Sequence, residues 1–178
     1  MRESGTPMTH DSKRNPGNDL VPLVDSLVGS AKVLTIAVSD PAPWSAPVYY
    51  VLLNRGFYFF SNPNSRHVAS AIQSGRCAVS IFRDSEDWRE IEGVQMEGYL
   101  LLVDEEPEAS RAMEIYLQKF PMVGDFFPGE NIDLERFIDR FHAELYAFLP
   151  LKVFYLNNRA GLGTRQEIVW GIDPFQSE

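Results

Sequence analysis

Seven consecutive residues, Ser61-Asn62-Pro63-Asn64-Ser65-Arg66-His67, put two hydroxyls, a guanidinium and an imidazole where a polar turn runs into a helix-like segment. Hydroxyls, a cation and the unpaired N–H groups of a helix's first turn together make an anion site, and phosphate is the anion they suit best. A cation there opposes the helix dipole by only about 0.3–1 kcal/mol, so a solvated arginine is also affordable. Two readings stand: Ser61, Ser65, Arg66 and His67 converge on a phosphate, or Ser61 or Asn62 caps the helix and Arg66 points into water. The charge pattern favours the first. The chain has 25 acidic and 16 basic residues, yet the 43 residues from Pro41 to Arg83 hold no acid, while they hold Arg55, Arg66, Arg76 and Arg83. A stretch without carboxylates avoids repelling an anion.

Other chemistries have less support. Cys77 lies in the apolar run "CAVSIF" and reads as an inert buried thiol. The three histidines, His10, His67 and His142, are too scattered for a metal site, and none is expected. Gly161-Leu162-Gly163 lacks the third glycine of a dinucleotide fingerprint, that position being Gln166. The carboxylate runs "DEEPE" and "DSED" read as solvated charge, and no Gly-x-Ser-x-Gly elbow is present. A formal net charge of −9 and a pI near 4.8 argue against nucleic acid as a partner. No apolar run approaches the ~20 residues that span a bilayer, so no membrane partner is expected. The opening "MRESGTPMTHDSKRNPG" is polar and rich in breakers, and predicts a disordered tail over 1–17 rather than a signal peptide. A soluble, cytoplasmic protein with one domain over 18–178 follows.

The elements that must hold the motif can be read from periodicity. Leu20, Leu23, Val24, Leu27 and Val28 have helical spacing, with Gly29 as the stop. A strand over 32–39 is followed by "DPAPW", then by two strands in "APVYYVLLNRGFYFFS", closed by a hairpin with Gly56 in the left-handed position. Asn62 as N-cap, Pro63 at the first position and Gly75 as the stop predict a helix over 63–74. Strands follow in "RCAVSIFR" and over 91–103, helices over 106–120 and 133–141, one or two strands over 143–157 interrupted by Pro150, and a last strand in "QEIVWGI". The 106–141 helices read either as a lid or as packing on the strands, and 121–133 as a loop near a pocket mouth or a surface patch on its own helices. Six or seven strands and four short helices, joined mostly by hairpin-length turns, predict a mainly β, α+β fold: a small antiparallel barrel flanked by helices.

This order of parts, with Ser45-Ala46-Pro47-Val48 ahead of the hairpin and "YFFSNPNSRHVASAIQSG" after it, resembles the pyridoxamine 5′-phosphate oxidase-like family of FMN-binding split β-barrels over roughly residues 20–105. Within that family, Ser65-Arg66-His67 and Gly161-Leu162-Gly163 ahead of Trp170 resemble the small YhbP-like proteins. The resemblance implies a homodimer with FMN at the subunit interface and an oxidoreductase acting on a small substrate. Ser45, Ala46, Pro47 and Val48 would line the flavin ring through backbone contacts, and Phe60 and Ser61 would flank the ribityl chain. Ser65, Arg66 and His67 would take the phosphate, Gln95 would reach the ring edge, and Trp170 would cover the ring from the partner chain. A non-catalytic flavin, deazaflavin or haem carrier is the alternative. Two departures matter: His67 stands where many members carry lysine, and the Arg-x-His motif of true pyridoxamine phosphate oxidases is absent from "WGIDPFQSE". Oxidation of vitamin B6 is not expected.

Overall fold

Alternating apolar residues send every second side chain of β1 (Val33–Val38), β5 (Cys77–Arg83) and β6 (Glu92–Leu102) inward, so that Leu34, Ile36, Val79, Ile81, Val94 and Met96 share one core. The computed structural model describes residues 18–170, so the tail expected over 1–17, and residues 171–178, lie outside the described residues. All strand pairs are antiparallel. The sheet order is β2-β1-β5-β6-β7-β4-β3, where β2 is Trp44–Tyr49, β3 Val51–Leu53, β4 Gly56–Ser61 and β7 Glu144–Asn157; β8 (Arg165–Ile168) pairs with the second half of β7. This curled half-barrel, with α1 (Val21–Ser30), α2 (Arg66–Ser74), α3 (Glu108–Lys119) and α4 (Leu134–Phe141) around it, is the expected mainly β class.

The sheet has eight strands rather than six or seven. One extra break falls at Tyr50, whose ring turns into the core and whose hydroxyl donates to the Val28 carbonyl at 2.5 Å, so "VYYVLL" is two strands and not one. Pro150 does not interrupt β7. It falls where β7 pairs with neither β4 nor β8, and the register against β6 shifts there between Glu97 and Gly98, leaving Leu151 as the extra residue. The hairpin between β3 and β4 forms as expected, but Asn54 (φ 50°) and Arg55 (φ 64°) take the left-handed positions, not Gly56. Gly56 is needed for space: a Cβ there would meet Leu149 Cδ2 and Tyr58 Cε2 at 2.9 Å.

The first core fills the barrel and is closed by α1 through Val24, Leu27 and Val28 and by α2 through Val68 and Ala71. A second core lies behind β3, β4 and the first half of β7, where Val51, Tyr58, Leu145 and Ala147 meet Ala112, Met113, Tyr116, Phe120 and Phe137 of the α3–α4 layer. These helices therefore pack on the sheet. The segment 121–133 joins them: Pro121–Phe126 forms a 3-10 turn, and Val123 and Phe127 are buried in the same core. Among the described residues no helix is long and apolar enough to cross a membrane.

Candidate functional site

Helix α2 starts later than its sequence suggests. Asn62 spends its side chain on a local turn, accepting the Asn64 N–H on Oδ1 at 2.8 Å, so the helix begins at Arg66 with Ser65 as its N-cap residue. Gly75, at φ 67°, ends it as expected. The Ser65 carbonyl accepts the first intrahelical bond, from Ala69 N–H at 2.9 Å, but the Ser65 side chain does not cap the helix. It joins a polar triangle instead: Ser65 Oγ lies 3.2 Å from Ser61 Oγ and 3.4 Å from His67 Nε2, and Ser61 Oγ lies 2.9 Å from His67 Nε2. The first turn thus has no side-chain cap and no acid, the condition in which its N–H groups suit an anion. His67 is only 8% exposed, and burial holds its pKa below the ordinary histidine value, so the ring is neutral at neutral pH.

The arginines of the acid-free window divide sharply. Arg55 pairs with Asp25 at 2.7 Å, Arg76 with Glu97 at 3.5 Å and Arg83 with Glu92 at 3.5 Å, each acid coming from outside the window. Among the described residues Arg66 alone of the four has no carboxylate partner. Its exposed guanidinium donates through Nη2 to the Ala42 carbonyl at 3.0 Å and lies 4.9 Å from the centre of the Trp44 ring. That shelf, made by the residues leading into β2, fixes the arginine beside the start of α2 and leaves four of its five N–H donors unspent on Ala42.

The remaining expected residues fall into two groups. On β2, Ser45 and Pro47 face outward, while Ala46 and Val48 pack against the first core. Register carries the outer row from Pro47 to Thr35, Ser80 and Gln95, so exposed Gln95 shares that face but stands three strands, about 14 Å, from Pro47. Thr35 and Ser80 were missed in the sequence, although period-two alternation on β1 and β5 marks them as outward polar positions. Phe60 and Trp170 are placed elsewhere. The Phe60 ring packs in the second core, 4.1 Å from the Phe137 ring and 5.0 Å from Tyr116, so only its backbone borders the site. Trp170 is 3% exposed in the first core. Its Nε1 donates to Asp25 Oδ1 at 2.7 Å, Arg55 lies over its ring at 4.8 Å, and its ring centre is 5.5 Å from that of Phe57. Phe57 is the second residue of β4 and Ser61 its last, about 14 Å further along. Trp170 is therefore buried within this chain, beside the end of β4 away from Ser61, rather than exposed on the outer face.

Two clefts among the described residues lie away from the expected residues. One, about 280 Å³, lies beside α1 and is lined by Arg83, Glu92, Tyr155 and Asn157; the other, about 290 Å³, is lined by Leu101, Leu102, Glu108 and Leu149. The site at α2 and β2 is an open shelf on a single chain, flanked by exposed Trp44 and Tyr49, with Phe82, 66% exposed, further along the outer face. Among the described residues no cluster of three or more His, Cys, Asp or Glu could hold a metal ion.

A family model described as pyridoxamine 5′-phosphate oxidase matches residues 23–131, more than half of the chain. No curated protein matches the chain significantly. Among solved structures, the chain is similar to a heme binding protein from Mycobacterium smegmatis (15% identity, TM-score 0.60), with 80% of this chain and 55% of that one covered, so it spans about half that protein's length. It is also similar to an FAD-binding protein from Mesorhizobium loti (14% identity, 74% and 88% covered, TM-score 0.56). A third is the heme storage protein HutZ from Vibrio cholerae (14% identity, 76% and 93% covered, TM-score 0.52). At these identities the likeness is one of fold.

Proposed function

The chain belongs to the pyridoxamine 5′-phosphate oxidase family, and on that premise we propose that it is an FMN-binding flavoprotein, an oxidoreductase acting on a small substrate. The observation that carries the reading is the start of α2, where an arginine without a carboxylate partner among the described residues, two hydroxyls, a buried imidazole and an uncapped, acid-free helix turn meet. That donor set fits a phosphate monoester. Ser61, Ser65, Arg66 and His67 would hold the phosphate. Among the described residues strand β2 ends the sheet, so one row of its backbone N–H and C=O groups has no strand partner there and would be available to a polar ring edge beside Ser45 and Pro47. Gln95 would meet the far end of a ligand laid across the outer face.

When bound, the flavin supplies the hydride and electron transfer; the protein's part is to bind, orient and shield it. Arg66, anchored on Ala42 and Trp44, presents fixed positive charge, and Ser61 and Ser65 rotate their hydroxyls toward phosphate oxygens. No side chain of the site is assigned as catalytic. Because the shelf is open and edged by exposed aromatics, we infer that a second copy of the chain covers it, giving a homodimer with the cofactor at the interface.

A non-catalytic carrier of flavin, deazaflavin or haem is the rival reading, favoured by the likeness to heme binding proteins at comparable TM-score. Against haem, neither described histidine lies on the outer strands: His67 turns Nε2 to Ser61, and His142 ends α4. The absorption spectrum of purified protein tests the choice. Flavin absorbance on adding FMN supports the proposal, a Soret band supports haem, and a protein that stays colourless with either defeats both. NADH or NADPH oxidation by the FMN-loaded protein then separates an enzyme from a carrier.

A further inference from the structure

Resting on the flavin reading above, we propose that His67 takes up a proton as a phosphate monoester docks at the start of α2, and that this selects a dianionic phosphate tail over a neutral or diester-linked flavin. The neutral imidazole is satisfied in the free protein, because Ser61 and Ser65 hydroxyls can each donate to or accept from Nε2 by rotating. A proton added there would sit at 8% exposure and at the positive end of α2, and both facts oppose it.

The surrounding charges do not offset that cost. Arg66 precedes His67 on α2, and Asp40, near α2 through its carbonyl bond from Ser70 Oγ at 2.5 Å, precedes β2. Strand β1 brings no ionisable side chain, and β2 brings only Tyr49. On β6 stand Glu92, paired with Arg83, Glu97, paired with Arg76, and Tyr99; on β7 stand Glu144, opposite Ser61 in register, and Tyr146, with Lys152 and Tyr155 in its second half. Burial alone accounts for the lowered histidine pKa, with no carboxylate holding a proton on the ring. A docked phosphate would supply the missing countercharge.

Above about pH 6 a phosphate monoester is a dianion. The phosphate's charge raises the bound histidine pKa by roughly one to two units, so binding weakens, by up to about tenfold for each unit, as pH rises from the free-protein pKa through the bound one. Riboflavin, without phosphate, gives no such slope, and FAD, whose phosphates are diesters with one charge each, gives a shallower one.

The test is an FMN titration of the whole protein, followed by flavin fluorescence from about pH 6.5 to about pH 8.5, with calorimetry in two buffers of different protonation enthalpy to count protons. The expected result is that weakening, net proton uptake on binding, a flat riboflavin curve and a flat FMN curve for His67→Gln. FMN affinity that exceeds that of riboflavin but does not change with pH, without proton uptake, overturns this proposal and leaves the flavin reading standing. A retained slope in His67→Gln also overturns it. No FMN binding at any pH overturns both. Should His67→Gln fail to fold, proton counting on the unaltered protein still decides.

Discussion

Replacing Arg66 by glutamate probes the phosphate site while barely touching the fold. The side chain is exposed, and what it loses within the chain is one hydrogen bond to Ala42 and a cation–π contact with Trp44, together about 1–2 kcal/mol. Against this, an acid at the first helical position gains about 0.3–1 kcal/mol from the dipole, and removing the cation relieves a similar amount. The melting temperature should therefore hardly move. Binding should move a great deal. A charge-assisted bond to phosphate contributes ~1.5–3 kcal/mol, and the glutamate replaces attraction with repulsion, so at least ~2 kcal/mol is lost, about thirtyfold in Kd. Arg66→Gln should lose less, because it removes the charge without reversing it. Flavin fluorescence quenching on titration measures both variants, and circular dichroism checks that they are folded. A folded Arg66→Glu protein that binds FMN as tightly as the parent refutes the assignment of the start of α2 as the phosphate site.

Trp170→Ala should destabilise by ~3–5 kcal/mol in denaturant titration, since it empties a core position and removes the indole donor from Asp25. Gly98→Ala should be among the most damaging single substitutions, because its Cβ would stand 2.2 Å from the Leu149 carbonyl oxygen and 2.8 Å from the Phe148 ring; loss of soluble folded protein or a large drop in denaturation midpoint is the expected readout. His67 has a folded pKa below its unfolded value of about 6.5, so the unfolded chain binds the proton more readily; its contribution to stability is complete above about pH 6.5 and is lost as pH falls through the folded pKa. Thermal melts of the parent and His67→Gln should accordingly diverge only on the acid side. Burial pushes the Cys77 thiol up to about 12, so a thiol reagent should leave the folded protein unlabelled and react only after denaturation.

Much of the framework was legible because its signals are local. Alternation marks β5 and β6, and the turn residues after Leu53 mark the hairpin, whichever of them takes the left-handed backbone. The motif Ser61 to His67 was legible as a cluster because strand end, turn and helix start are contiguous in the chain. What escaped depends on distant partners. Asn62 looks like a cap until its side chain is seen bonded two residues on, and Tyr50 looks like part of a strand until its hydroxyl finds Val28. Trp170 looks like a spare aromatic until Asp25, 145 residues away, claims its indole N–H. The acid-free window likewise mixes two causes, since three of its four arginines answer carboxylates from elsewhere in the chain, and among the described residues only Arg66 has no carboxylate partner.

Strand β7 pairs with β6 along nearly its whole length, with β4 over its first half and with β8 over its second. During synthesis, then, the β3–β4 hairpin and the β5–β6 ladder emerge long before the strand that joins them, and each waits with an unpaired margin until β7 has left the ribosome. Nonsense changes between His67 and Glu144 should consequently yield sticky, rapidly degraded fragments, even though such fragments contain every residue proposed to hold the phosphate.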